Sequence, residues 1–302
     1  MTATTPAPVW RSMMFVPTIV EKFVEKAPGV GADAVILDLE DSIAASEKDR
    51  ARAAVGGVAK RLAGAGLDVT VRINRPWRLA ARDIEAAVTP DVTALLLPMT
   101  DCGAHVREVA KVVAEVEAEK GMAVGRTFLL PLIETAEGLL NAREIAAAHP
   151  RIMGVSLGSE DFALSMGSAT DTDVLFGPKQ QIVACARAAG VAPMGFIGSI
   201  AEFRDVEKLK SMMTLSKRVG FRGCSCIHPN QVRVANEIFG PSAAEVAEAR
   251  KIVDAYDAAL ARGEGAITVD GKMVDVPVAD RMRAILEFAD AIAARQSRVA
   301  AS

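Results

Sequence analysis

Apolar residues gather in eight short continuous runs: SMMFVP (12–17), AVILDLE (34–40), VTVRIN (69–74), VTALLLP (92–98), TFLLPLI (127–133), IMGVSLG (152–158), VAPMGFI (191–197) and FRGCSCI (221–227). Runs of this length without polar alternation predict strands buried on both faces. Between them, Ala-rich stretches repeat apolar residues at helical spacing and predict helices at about 18–28, 47–64, 81–88, 103–120, 136–148, 178–189, 201–219 and 230–238. Glycines 31, 66, 121, 190 and 220 stand where those helices should stop before the next strand. Eight strand and helix alternations predict a (β/α)8 TIM barrel, an α/β fold that places its chemistry on the loops after the strands. After the eighth strand the pattern changes to helices at about 242–262 and 278–294, joined through a Gly-rich VDGKMVDVP turn. The expected organisation is a disordered arm over 1–10, a barrel over 11–240 and a C-terminal lid with helices over 241–302.

Composition narrows the function classes. A chain of 302 residues with 51% hydrophobic content can bury one large barrel core. Its 35 basic and 38 acidic residues are well mixed, so no nucleic-acid surface is expected. No apolar stretch suits a membrane span, and the first ten residues lack the pattern of a secretory signal, so a cytoplasmic protein is expected. Cys102, Cys185, Cys224 and Cys226 lack C-x-x-C spacing and read as free thiols; His105, His149 and His228 are too scattered for a histidine metal cage. Neither glycine-rich nucleotide fingerprint is present.

The strand ends carry the candidate chemistry. Glu134 and Asp161 follow strands five and six, where two hard oxygen ligands without thiol or imidazole suit Mg²⁺. Equally, Glu134 fits a helix cap and Asp161 an Asx turn. Asp38, Glu40 and Asp41 end strand two and suit acceptors for metal-bound water, or, for Asp41 above all, solvated loop acids. Arg72 places a permanent cation in an apolar strand and requires an anion beside it, from substrate or from Asp38 or Glu40. Alternation puts Asn74 on the face of Arg72, which makes it a candidate for substrate contact. Arg11, ahead of strand one, is a weaker candidate of the same kind.

These residues lie in motifs that together resemble the citrate lyase β-subunit-like branch of the HpcH/HpaI aldolases, which includes malyl-CoA and citramalyl-CoA lyases. The carrying segments are RSMMFVP, AVILDLEDSI with KDRAR, VRIN, LLLP, PLIETAEG, LGSEDF, CIHPNQV and GKMVDVPV, in order from about residue 11 to 289. The resemblance implies that Glu134 and Asp161 ligate Mg²⁺ and that Arg72 contacts the substrate and its developing enolate. It also implies that Glu40 and Asp41 stand by the metal's waters, and that Asp275 of a neighbouring subunit's lid acts as acid or base. It implies carbon–carbon cleavage or condensation of a 3-hydroxyacyl-CoA, with acyl-CoA thioester and 2-oxo acid as partners. The enzyme is then a homo-oligomer, trimer or hexamer, exchanging lids. Malyl-CoA thioesterase action, CoA-independent aldolase action and a non-catalytic subunit of a larger lyase complex are the alternatives. Met99 stands where the family commonly has lysine, Thr18 follows Pro17 in place of glycine, and PMGFIGS lacks the family's Ile-Asp pair.

Overall fold

The computed structural model describes residues 7–300, and the arm expected over 1–10 falls largely on residues 1–6, outside the described residues. Eight strands form the main sheet: β1 Ser12–Pro17, β2 Ala34–Asp38, β3 Asp68–Arg72, β4 Ala94–Leu97, β5 Phe128–Ile133, β6 Gly154–Leu157, β7 Ala192–Met194 and β8 Cys224–Cys226. All pair in parallel in the order β7-β6-β5-β4-β3-β2-β1-β8. A parallel bridge between Met194 and Gly223 closes β7 onto β8, so this is the (β/α)8 barrel read from the sequence. The helices between and after these strands are α1 Glu21–Lys26, α2 Lys48–Gly64, α3 Trp77–Ala87, α4 Gly103–Glu119, α5 Ala136–Leu140, α6 Ala142–Ala146, α7 Ser159–Met166, α8 Thr172–Ala188, α9 Val206–Val219 and α10 Pro229–Phe239. Among the described residues, no helix is long and apolar enough to cross a membrane.

Strand alternation divides the core into two layers. Met13, Ala34, Ile36, Ala94, Leu96, Leu130, Leu132 and Met194 form the inner cluster, with Trp10 below them. Their neighbours Val35, Leu37, Val69, Val71, Leu95 and Leu97 point outward and pack on helical residues such as Val55, Leu62, Ile84 and Val113. Cys224 and Cys226 also face outward, and all four cysteines are free. The N-terminal end of the barrel is tied by polar clamps. Trp10 Nε1 donates to Asp68 at 2.7 Å, Arg11 grips Asp33 through two 2.8 Å bonds, and the buried Arg151 pairs with Glu117 at 2.6 Å.

The structure departs from the sequence reading at several elements. The stretch 136–148 divides at Asn141 into α5 and α6. Helix α3 starts at Trp77, four residues before its expected position. Helix α8 starts at Thr172, and Pro178 lies inside it. Proline there removes one N–H bond, yet Leu175 before it and Ile182 after it are both fully buried, which holds the helix together across the gap. The SEDF segment is helical, as α7. His105 is buried edge-on against Trp77.

The described residues from Gly240 onward form a second compact unit. In it, α11 (Ala243–Leu260) begins with a capping box between Ser242 and Glu245. A hairpin of β9 (Ile267–Val269) and β10 (Lys272–Val274) turns through Asp270 and Gly271, both at positive φ, as a tight two-residue hairpin turn requires. Asp275 then precedes α12 (Val276–Ala300), and its Oδ1 accepts from the Val278 N–H at 3.4 Å.

Candidate active site

The C-terminal ends of the strands open into a cavity of about 900 Å³. Its walls carry Phe15, Pro17, Asp38, Asp41, Arg72, Leu132, Glu134, Ser156, Asp161, Lys179, Ser225 and His228. Five of these residues, Asp38, Asp41, Arg72, Glu134 and Asp161, were expected from the sequence to meet here, and they do. Each is delivered by a strand end or by the first turn after one.

Arg72 is the last residue of β3, and the register sets it opposite Asp38 of β2. Its Nε and Nη2 both donate at 2.7 Å to the two Asp38 oxygens, a bidentate pair. Nη1 meets Glu40 at 2.9 Å and Asp41 at 3.3 Å. Three of its five N–H groups make hydrogen bonds, to Asp38 twice and to Asp41 once, Glu40 is held as an ion pair, and one hydrogen on Nη2 is without a partner among the described residues. The guanidinium lies over the Phe15 ring, 4.8 Å from its centroid. Burial alone would raise the Asp38 carboxyl, but the guanidinium and the N–H groups of Ser42 and Glu40 hold it below its ordinary range. Burial takes Glu40 the other way, up to about 7, against the pull of Arg72 and with the help of Asp41.

Glu134 follows β5 and is 4% exposed. It does not cap α5: Thr135 does, accepting from the Gly138 N–H at 3.0 Å. The Glu134 carboxylate instead turns into the cavity, where Oε2 accepts from the Met99 N–H at 2.7 Å. Met99 presents that N–H from a left-handed backbone, φ +48°, an uncommon conformation for a long side chain. Burial pushes Glu134 up to about 8, and the negative charges of Asp161 and Glu40 push the same way. Asp161 lies in the first turn of α7, whose N-cap residue is Gly158, and makes no capping bond. Gly158 is needed for close approach: a Cβ there would stand 2.7 Å from Glu134 Oε1 and 2.8 Å from its Cγ.

Two expected site residues lie elsewhere. Arg11 sits at the opposite end of the barrel, bound to Asp33 and to the Asn236 carbonyl, because it precedes β1 and strand starts face away from the mouth. Asn74 lies beyond the end of β3, where alternation no longer fixes its face; its Nδ2 donates to Asp83 at 2.7 Å and to the Leu39 carbonyl at 2.8 Å. Asp83 in turn holds Arg52 at 2.7 Å, so Asn74 belongs to a buried structural network. Lys179, Ser156 and His228 line the cavity without having been anticipated. Lys179 was legible as a cation on the apolar stripe of α8 beside Leu175, Ile182 and Ala186.

Among the described residues no three His, Cys, Asp or Glu side chains converge on one point. The donor set is a pair of carboxylates with open space around it, one of them buried and surrounded by negative charge, which favours a hard cation that keeps other oxygen ligands.

Residues 11–229 match the HpcH/HpaI aldolase/citrate lyase family. The chain is 32% identical over 284 residues to citrate lyase subunit beta of Leuconostoc mesenteroides subsp. cremoris, with 93% of each chain covered. It is 34% identical over 312 residues to the L-malyl-CoA/beta-methylmalyl-CoA lyase of Cereibacter sphaeroides, covering 96% of this chain and 97% of the relative. Its fold matches protein CitE from Mycobacterium tuberculosis, crystallised in complex with magnesium, acetoacetate and coenzyme A. The TM-score is 0.72 and the identity 30%, over 94% of this chain and 98% of that one. With the barrel, the acid pair at its mouth and near full-length similarity in agreement, the chain is an enzyme that belongs to the HpcH/HpaI aldolase/citrate lyase family.

Proposed function

We propose that the chain is a Mg²⁺-dependent carbon–carbon lyase acting on a 3-hydroxyacyl-CoA such as malyl-CoA or citramalyl-CoA, giving acetyl-CoA or a homologue and a 2-oxo acid. The observation that carries this reading is the buried guanidinium of Arg72 in the same cavity as the Glu134 and Asp161 carboxylates. Glu134 and Asp161 would hold Mg²⁺, which supplies Lewis-acid polarisation of the substrate's hydroxyl or 2-oxo oxygen. Burial raises Glu134 to about 8 and the charges of Asp161 and Glu40 add to it; that added repulsion is what a divalent cation would relieve.

Cleavage releases a thioester enolate, whose oxygen needs positive charge already in place. Arg72 offers its remaining Nη2 hydrogen, and the Asp38 fork keeps the guanidinium from reorienting. Glu40 and Asp41 are positioned by Arg72 to accept hydrogen bonds from water or substrate hydroxyls. Asp275 would protonate the enolate carbon, or remove that proton in condensation. In this reading it comes from the second unit of a neighbouring copy, in a homo-oligomer, trimer or hexamer, with exchanged lids.

The test is to offer malyl-, methylmalyl- and citramalyl-CoA to the purified chain with and without Mg²⁺. The expected products are acetyl-CoA or propionyl-CoA with a 2-oxo acid, formed only with the metal. Free CoA without the acyl-CoA would mark a thioesterase, and inactivity on all three would favour a non-catalytic subunit. Asp275→Asn is expected to retain Mg²⁺ and CoA-ester affinity while losing exchange of the acetyl-CoA methyl protons with solvent, followed by NMR; full exchange would remove it from proton transfer. Gly158→Ala should weaken Mg²⁺ about 10–100-fold, because the new Cβ displaces Glu134. Calorimetric affinity left unchanged in that variant would place the cation away from Glu134.

A further inference from the structure

Among the described residues, Met99 and Asp270 are the non-glycine positions with positive φ, and Asp270 sits in the hairpin turn that requires it. Met99 follows β4, outside any hairpin. An L side chain in the left-handed region crowds its own backbone, and it stays there only where the surroundings leave no alternative. Here they leave none. Pro98 before it and Thr100 after it are buried. The peptide joining Met99 to Thr100 is tied at both ends: the Met99 carbonyl accepts from Arg75 Nε at 3.0 Å, and the Thr100 N–H donates to the Leu132 carbonyl of β5 at 3.0 Å. Arg75 is anchored in turn, because the N–H of its neighbour Asn74 donates to the buried Asp83 at 2.9 Å.

With that peptide immobile, the backbone angles of residue 99 aim the peptide before it. Its N–H meets Glu134 Oε2 at 2.7 Å, and a right-handed or extended residue 99 would swing that N–H off the carboxylate. On the far side, Gly158 leaves room for Glu134 Oε1, where a Cβ would stand 2.7 Å away. Glu134 is thus gripped between a donor and bare backbone, and main chain supplies both grips. We infer that, on the function proposed above, Met99 is a positioning residue for the metal site: its left-handed backbone, locked by Arg75 and β5, holds Glu134 in the orientation that takes the cation. The conformation at residue 99, and not its side chain, then sets Mg²⁺ affinity.

Substitutions graded by their tolerance of positive φ test this, with Mg²⁺ titrated calorimetrically into the full chain and the unfolding temperature of the metal-free protein as a second readout. Met99→Gly and Met99→Asn, which enter the left-handed region readily, should bind Mg²⁺ within about threefold of wild type. Met99→Val, whose branched side chain is an outlier there, should bind about 10–100-fold more weakly, the usual cost of losing a group that orients a metal ligand. Arg75→Leu leaves residue 99 intact and frees its carbonyl, and it should weaken Mg²⁺ about tenfold. Unchanged affinity in a folded Met99→Val, even with a lower unfolding temperature, would make the turn purely structural and overturn the inference. So would a valine-sized loss in Met99→Gly and Met99→Asn. If Met99→Val does not fold, Arg75→Leu decides, and unchanged affinity there overturns it. Absence of Mg²⁺ uptake by wild type, or equal uptake by Glu134→Gln, overturns the metal site itself. Where wild type binds and Glu134→Gln does not, the outcome bears on Met99 alone.

Discussion

Glu134→Gln is expected to abolish Mg²⁺ binding and to lower kcat/KM by about 10³-fold or more, the scale of losing an electrostatic anchor for transition-state charge. The fold should not suffer. Glu134 is held by one backbone N–H, from Met99, and its burial near Asp161 and Glu40 disfavours its charged form. The sign of the pH dependence follows. A carboxyl whose folded value is raised to about 8, above the ordinary 4.5, binds its proton more tightly in the folded state. Its stabilising contribution is whole below pH 4.5 and is lost as pH rises through about 8, at a rate approaching about 1.4 kcal/mol per pH unit. Metal-free wild type should therefore lose stability relative to Glu134→Gln across that window, in denaturant melts of both. Added Mg²⁺ should reverse the loss for wild type alone. A variant that melts far lower than wild type at pH 7 without metal would show that Glu134 is structural.

Arg72 should divide differently between stability and rate. Arg72→Lys keeps a cation but loses the planar fork that fills both Asp38 oxygens. It is expected to lower kcat about 10²–10³-fold with Mg²⁺ affinity retained, because the charge that meets the enolate is no longer preorganised. Arg72→Met goes further: it leaves Asp38, 1% exposed, without its partner and should cost about 3–5 kcal/mol of stability. Pairing it with Asp38→Asn should recover most of that stability and none of the activity. Recovered turnover in the double variant would show that Arg72 serves only to neutralise Asp38.

The barrel was legible because a strand buried on both faces has to be apolar almost throughout, and eight such runs are hard to read otherwise. Element ends were less so. Pro178 looked like a helix start, whereas it lies in the second turn of α8, and SEDF, where no helix was expected and Asp161 suited an Asx turn, opens α7. Within the site, Arg72 announced itself as a charge in an apolar run. Arg11 and Asn74 show the limit of the same logic. Alternation tells which face a residue takes only inside a strand, and composition does not tell which end of the barrel a charge will occupy. Lys179 was hidden by its helix, where a lysine is ordinarily read as solvated; only its phase with Leu175 and Ile182 marks it as buried.

The polar clamps at the N-terminal end, Trp10 with Asp68, Arg11 with Asp33 and Arg151 with Glu117, share no residue with the cavity at the other end. The division of labour makes this chain a forgiving scaffold for redesign. Wall positions such as Ser156 and Lys179 can be exchanged to alter what the cavity accepts, while the anchors that keep the strands in register stay untouched at the far end.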